Sequence, residues 1–361
     1  TFARFGQGGV IAPCGAGKTE IAIVTMAKLQ VSTLILVHSK DLLRQWQERI
    51  RSRLGYEAGQ VADRKIDLKP ITIATVQSLY STRGILKYTF ESFYKEFGLV
   101  ILDEAHHAPA NSWTVILSRC PAAKRMWLTA TEKRRDGLGP LIPLSCGRII
   151  YRIQHNELLS LRRIMAPTYI PHYLPFLQGA FTRKALIDGK QCDIVDKRKL
   201  DASIIGHTDR TNFILENIIK DYNDGRTCLV LSQKSVRLCE ELHDRLLMRG
   251  IIPLILVASG KYAVKKNSDR EILFDKIRQG KSRILIATNI AEEGLDLPML
   301  DSLHLTYPSG ECEQAVGRVC RVHPGKTDAL VHDYVDNCVE HLVNLSVKRR
   351  RIIHKIGGTP K

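Results

Sequence analysis

The chain has 361 residues, room for two domains of ordinary size, and its apolar fraction of 44% is enough to fill two cores. No apolar run approaches the length of a membrane-spanning helix, so an integral membrane protein is excluded as the first reading. Lysine and arginine exceed the acids by 54 to 37, and a formal charge of +17 favours a polyanionic partner such as nucleic acid, although a merely basic soluble protein fits the charge equally.

Thr1–Phe5 is not a secretory signal, since Gly-rich sequence follows at once. The chain lacks an initiator Met, which reads as a processed chain or a piece of a longer one with an N-terminal domain removed. The nine cysteines stand singly, without a Cys-x-x-Cys pair, as expected of reduced thiols in an intracellular compartment. Cys312, Cys320, His323 and His332 match no zinc-ligand spacing.

In chain order, short β-branched runs alternate with helix-period segments. Strands are expected at Gly9–Ala12, Thr33–Val37, Ile71–Thr75, Leu99–Leu102, Arg125–Thr129 and Arg148–Ile153, with helices at Lys18–Leu29 and Asp41–Leu54. The alternation resumes with strands at Thr227–Leu231, Pro253–Val257, Arg283–Ala287, Ser302–Thr306 and Ala329–His332. The helices there are Val236–Arg249, Asp269–Arg278 and Glu311–Val319. Such alternation predicts an α/β fold with a doubly wound parallel sheet, twice over. The boundary is expected near residue 160, giving domains 1–160 and 161–361. The proline-bearing stretch from about 164 to 210 is read as connection plus insertion. The basic run Lys348–Arg351 is read as a solvated helical face or a phosphate contact.

Pro13, Cys14, Gly15, Ala16, Gly17, Lys18 and Thr19 follow the first strand and open the first helix. Gly15 and Gly17 lack Cβ, so the backbone can curl and aim N–H groups at phosphate oxygens, with the helix dipole behind them. Lys18 supplies charge to β- and γ-phosphates, and Thr19 a hydroxyl for Mg²⁺. Asp103 and Glu104 end a buried strand; Asp103 suits Mg²⁺, and Glu104 can orient and deprotonate the attacking water. Gln314, Arg318 and Arg321 recur at spacings of four and three and would share one helix face, with the arginines aimed at a transferring phosphoryl group. Gly294 and Asp296 lie in a loop after a strand, where a ribose or γ-phosphate could be sensed.

With these segments in view, the chain resembles the superfamily 2 helicases over nearly its whole length. Ala12–Thr19 is similar to motif I, Leu36–Lys40 to Ia, Asp103–His106 to II, and Leu128–Thr131 to III. Val230–Gln233 is similar to motif IV, Thr288–Pro298 to V and Gln314–Arg321 to VI. Thr75–Leu79 resembles a strand-binding motif, and Arg134–Gly137 with Ile149–Tyr151 points to the branch of the TFIIH-type translocase, the phage recombination helicase and large-virus transcript-release helicases. Glu132 departs from the proline usual there. The resemblance implies two tandem RecA-like domains with an ATP cleft between them, ATP and Mg²⁺ as cofactors, and a monomeric 3′→5′ translocase or helicase acting on DNA in preference to RNA. Ser39, Lys40, Arg44, Thr75, Gln77, Ser232, Gln233 and Thr288 would contact the nucleic-acid backbone. Aromatics are only 6% of the chain, so tracking by phosphates is expected over base stacking. An RNA helicase and a non-hydrolysing ATP-gated clamp are the alternatives.

Overall fold

The computed structural model describes all residues except 1, 14, 64, 81–89, 106–109, 131–140, 178–180, 188–189, 265–266 and 289–295. Two compact units divide at Leu158/Leu159. Both are layered α/β structures, each built on a large sheet with helices packed against it.

The first unit contains β1 (Gln7–Ile11), β2 (Thr33–Val37), β3 (Gly59–Ala62), β4 (Lys65–Asp67), β5 (Ile71–Thr75), β6 (Leu99–Leu102), β7 (Lys124–Thr129) and β8 (Ile149–Arg152). They form one sheet in the order β4-β3-β5-β2-β6-β7-β1-β8, parallel except where β4 folds back on β3. β2 and β6 are buried along their whole length because both sheet faces are covered. Alternate residues feed opposite layers: Leu34 and Leu36 pack with Trp113 and Trp127, whereas Ile35 and Val37 pack with Met26 and Trp46. The short pair β3–β4 was not legible in the sequence.

In the second unit, β9 (Pro167–Leu174) precedes an antiparallel pair, β10 (Thr182–Ile187) and β11 (Lys190–Val195). β12 (Cys228–Leu231), β13 (Leu254–Leu256), β14 (Ile284–Ala287), β15 (Ser302–Leu305), β16 (Ala329–Asp336) and β17 (Thr359–Pro360) follow. The parallel order is β13-β14-β12-β15-β16-β9-β17. Helices Thr208–Asn223 and Val236–Met248 cover one face through Ile214, Ile218, Leu238 and Leu242.

Two expectations need correction. The stretch 164–210 is not merely connection and insertion: β9 pairs with β16 over eight residues and belongs to the sheet. Its prolines disguised it. On its other flank β17 meets only Thr168 and Tyr169, so Pro171 lies on a stretch open on that side, where a missing N–H is tolerated. The run Lys348–Arg351 lies on helix Glu340–Lys355, but Arg349 is neither solvated nor free for phosphate. It is buried, with its Nε 2.7 Å from Asp333 Oδ1 and its Nη1 donating to the Ser309 carbonyl.

Candidate nucleotide and nucleic-acid site

The second glycine of β1 is required by a neighbour. A Cβ on Gly9 would fall 1.9 Å from the Trp127 indole, which lies over the strand. Beyond β1 the chain turns through Ala12 and Pro13 to Gly15 and Gly17, whose φ values of 83° and 79° require glycine. Ala12 is not among the positive-φ residues, so a Cβ is accepted there. Helix Lys18–Leu29 starts directly after Gly17, which leaves its first N–H groups and positive dipole end at the loop. Lys18 Nζ donates to the Ala12 carbonyl at 3.3 Å and lies 3.2 Å from Glu104 Oε1. Thr19 is half-buried on the first turn; Cys14 lies outside the described residues.

β1, β7 and β6 are adjacent and parallel, so the loop after β1 and the acids after β6 emerge at the same sheet edge. Asp103 is buried and both its oxygens are engaged. Oδ1 accepts the Glu104 N–H at 2.9 Å, and Oδ2 accepts the Trp46 indole N–H at 2.8 Å. Burial, followed by repulsion from Glu104, pushes Asp103 up to about 6, against the opposing pull of Lys18 and Trp46. Glu104 itself adopts φ 45°, a region uncommon for a residue with a side chain. Trp46 was absent from the sequence-derived site, because nothing local links it to an acid 57 residues away.

In the second unit Gln314 and Arg318 lie on helix Glu313–Val319, half-buried and buried respectively. Arg321 does not share that helix. The helix ends at Val319, and Arg321 sits beyond it in an isolated bridge with Ile164, its Nη1 2.6 Å from Asp296 Oδ1. The structure thus brings together Arg321 and Asp296, while Gly294 lies outside the described residues. Lys326, which the sequence reading passed over, donates to the carbonyls of Leu300, Val319 and Arg321, and burial lowers its ammonium to about 8.

The proposed strand-contact residues divide by exposure. Arg44 and Gln77 are exposed, and Lys40 is half exposed beside Asp63. Ser39 caps helix Lys40–Leu54 by accepting the Leu42 N–H. Thr75 is buried and donates to Ser78. Ser232 is fully buried against the Thr306 hydroxyl, Gln233 donates to the Glu311 carbonyl, and Thr288 is buried. Of the motif III segment, Thr131 and Arg134–Gly137 fall outside the described residues.

Among the described residues, one other group has metal-ligand spacing: Asp221, Cys228 and His304 in the second core, with ligand atoms within 4.8 Å of one another. Asp221 and His304 are already hydrogen bonded there. No helix among the described residues is long and apolar enough to cross a membrane.

Comparison with known proteins gives matches on both units. The family described as "Type III restriction enzyme, res subunit" matches residues 3–134, and "Helicase conserved C-terminal domain" matches residues 210–323. A DNA 3′-5′ translocase XPB2 of Sulfurisphaera tokodaii is 28% identical over 81% of this chain and 69% of its own length. A DNA 3′-5′ helicase XPB of Kineococcus radiotolerans is 27% identical over 91% of this chain and 56% of its own, and a mimivirus relative, 26% identical over 92% of this chain and 60% of its own, carries the name of an RNA helicase. The chain therefore spans only part of these relatives' length. The S. cerevisiae Dbp5 structure bound to RNA and ADP BeF3 shares the fold with a TM-score of 0.64 at 14% identity, covering 98% of this chain and 85% of that one. With the restriction-enzyme res-subunit family matched on the first unit, the helicase C-terminal family on the second, and relatives named as XPB translocases and helicases, the chain matches the superfamily 2 helicases of the XPB type, whose solved neighbours carry tandem RecA-like units.

Proposed function

We propose that this chain is an ATP-driven motor that moves along nucleic acid, on DNA in preference to RNA and in the 3′→5′ direction. The observation that carries it is the meeting of Lys18, Asp103 and Glu104 at the carboxyl edge of one parallel sheet. A lysine on a glycine loop beside two consecutive acids suits a triphosphate and a catalytic water.

In this reading the loop N–H groups and Lys18 bind the β- and γ-phosphates, and the Lys18–Glu104 pair opens as they bind. Glu104 then orients the attacking water and takes its proton. Thr19 and Asp103 fit a magnesium ion: two adjacent carboxylates, one raised to about 6 by burial and repulsion, form a place that a cation would relieve. Mg²⁺ there would neutralise charge on the β- and γ-oxygens. Arg318 and Arg321 of the second unit supply positive charge to the transferring phosphoryl group, and Gln314 positions water or phosphate beside them. Asp296 holds Arg321 until that charge is needed. Lys40, Arg44 and Gln77 contact the strand backbone. The small buried donors Ser232, Gln233 and Thr288 would do so only after local rearrangement. The motor works as a monomer, with protein partners or a further domain choosing its substrate.

The names of the XPB-type relatives favour DNA, and the mimivirus relative supports RNA as the second reading. ATP turnover measured in parallel with single-stranded DNA, duplex DNA and RNA, at stated salt, tests it. Stimulation greatest with DNA is expected. Stimulation by RNA alone would transfer the assignment, and ATP binding that alters nucleic-acid affinity without phosphate release would make the chain a clamp.

A further inference from the structure

Helix Lys40–Leu54 carries two kinds of residue that the motor uses separately. Its first turns hold Lys40 and Arg44 beside the Ser39 cap, the exposed candidates for strand contact. Its inward face holds Leu43, Trp46 and Ile50, the apolar stripe that packs on the sheet. Trp46 is more than a core residue, since its indole N–H ends on Asp103 Oδ2 at 2.8 Å.

The other oxygen of that carboxylate is held by the adjacent Glu104 amide, a local bond that moves only with the loop itself. Trp46 provides the bond that arrives from another element. Both side chains are buried, Trp46 1% and Asp103 4% exposed, where a single hydrogen bond to a charged group has its greatest leverage. Lys40 and Trp46 are six residues apart, about 9 Å along a helix, and close packing transmits a shift of one turn to the next.

We infer that Trp46 is a positioning residue that couples strand contact at the start of this helix to the orientation of the Asp103 carboxylate. The inference rests on the motor reading of the site. Strand binding at Lys40 and Arg44 shifts the helix, and the indole N–H turns Asp103 into the orientation that magnesium-bound nucleotide requires. By linkage, Mg²⁺-nucleotide must tighten strand binding by the same factor by which the strand tightens Mg²⁺-nucleotide.

The test measures that factor in the full chain. Affinity for a non-hydrolysable ATP analogue with Mg²⁺ is measured with and without a saturating single-stranded DNA, and DNA affinity with and without the analogue. Trp46→Phe keeps a ring in the core and deletes the N–H. Its coupling factor should shrink by about tenfold, the worth of one hydrogen bond to a charged group. Trp46→Tyr serves if the phenylalanine variant does not fold, because its hydroxyl cannot occupy the indole nitrogen's position. Trp113→Phe, in the core layer on the opposite face of the sheet, should leave the coupling unchanged. Coupling retained within about twofold in a folded Trp46 variant, whatever its turnover, overturns the inference and leaves the motor reading standing. A wild-type chain with no coupling overturns both.

Discussion

The two units bury charge in opposite ways. In the first, Asp103 and Glu104 are consecutive carboxylates at a sheet edge; burial and then Glu104 raise Asp103, while Lys18 and the Trp46 indole N–H pull it down. Among the described residues of the second, each buried acid is matched. Asp336 takes two bonds from Arg210, and Asp333 bonds Arg349 and the Tyr169 hydroxyl. Asp221 accepts from Ser302 and lies 3.0 Å from His332 and 3.2 Å from His304. The remaining ring nitrogens of those histidines face His172 and Tyr334, at 2.9 and 3.0 Å. These three acids are held by partners within the second unit's own core. The first unit leaves Asp103 raised by burial and by its neighbour Glu104, a perturbation of the kind that clusters at functional sites.

The sharpest way to break this comparison is to neutralise the first site. Lys18→Ala and Glu104→Gln should each reduce nucleic-acid-stimulated phosphate release by about a thousandfold or more, with the far-UV circular dichroism unchanged. A variant that keeps wild-type turnover removes its residue from the site.

Next in size are the buried pairs of the second unit. Asp336→Ala strands the Arg210 guanidinium at zero exposure and should cost about 3–5 kcal/mol in urea unfolding. A loss under about 1 kcal/mol would mean the pair is replaceable and would weaken the contrast between the units.

Acidification sharpens the comparison because the signs differ. His172 and His304 are lowered by burial from 6.5 to about 4, so the unfolded chain binds more protons than the folded one between those values. Asp221 is also held below its ordinary value, chiefly by its histidine bonds acting against burial, which extends the loss to lower pH. The second unit should therefore lose stability as pH falls from about 6.5 towards 4. Asp103 works the other way: its folded value near 6 exceeds the unfolded one, so the first unit is stabilised at that site as pH falls through 6. All three tryptophans lie in the first unit. Urea transitions followed by tryptophan fluorescence and by circular dichroism should separate on acidification, with fluorescence the later. Coincident transitions at every pH would remove the asymmetry.

The smallest effects belong to the exposed strand contacts. Lys40→Ala or Arg44→Ala should weaken DNA binding and reduce the slope of log affinity against log salt by about one each. An unchanged slope would show that the residue meets no phosphate.

Much of the fold was legible because its signals are local. Buried parallel strands read as continuous β-branched runs, and Leu99–Leu102 and Ile284–Ala287 needed nothing else. Gly15 and Gly17 announced a loop because positive φ selects glycine whatever surrounds it. β9 escaped notice because its prolines argue against a strand unless one knows that part of its flank is open. Arg349 looked like a surface charge because its partner Asp333 arrives from another element.

By itself the sequence determined two α/β units, the glycine loop before Lys18 and the acids that follow β6. These follow from periodicity and from residue types that act within a few positions of one another. Only the tertiary structure decided that Trp46 holds Asp103, that Arg321 lies beyond its helix beside Asp296, and that Ser232 is buried against Thr306. Such pairings are made by strand order and helix packing, which bring together residues with no local signal of one another.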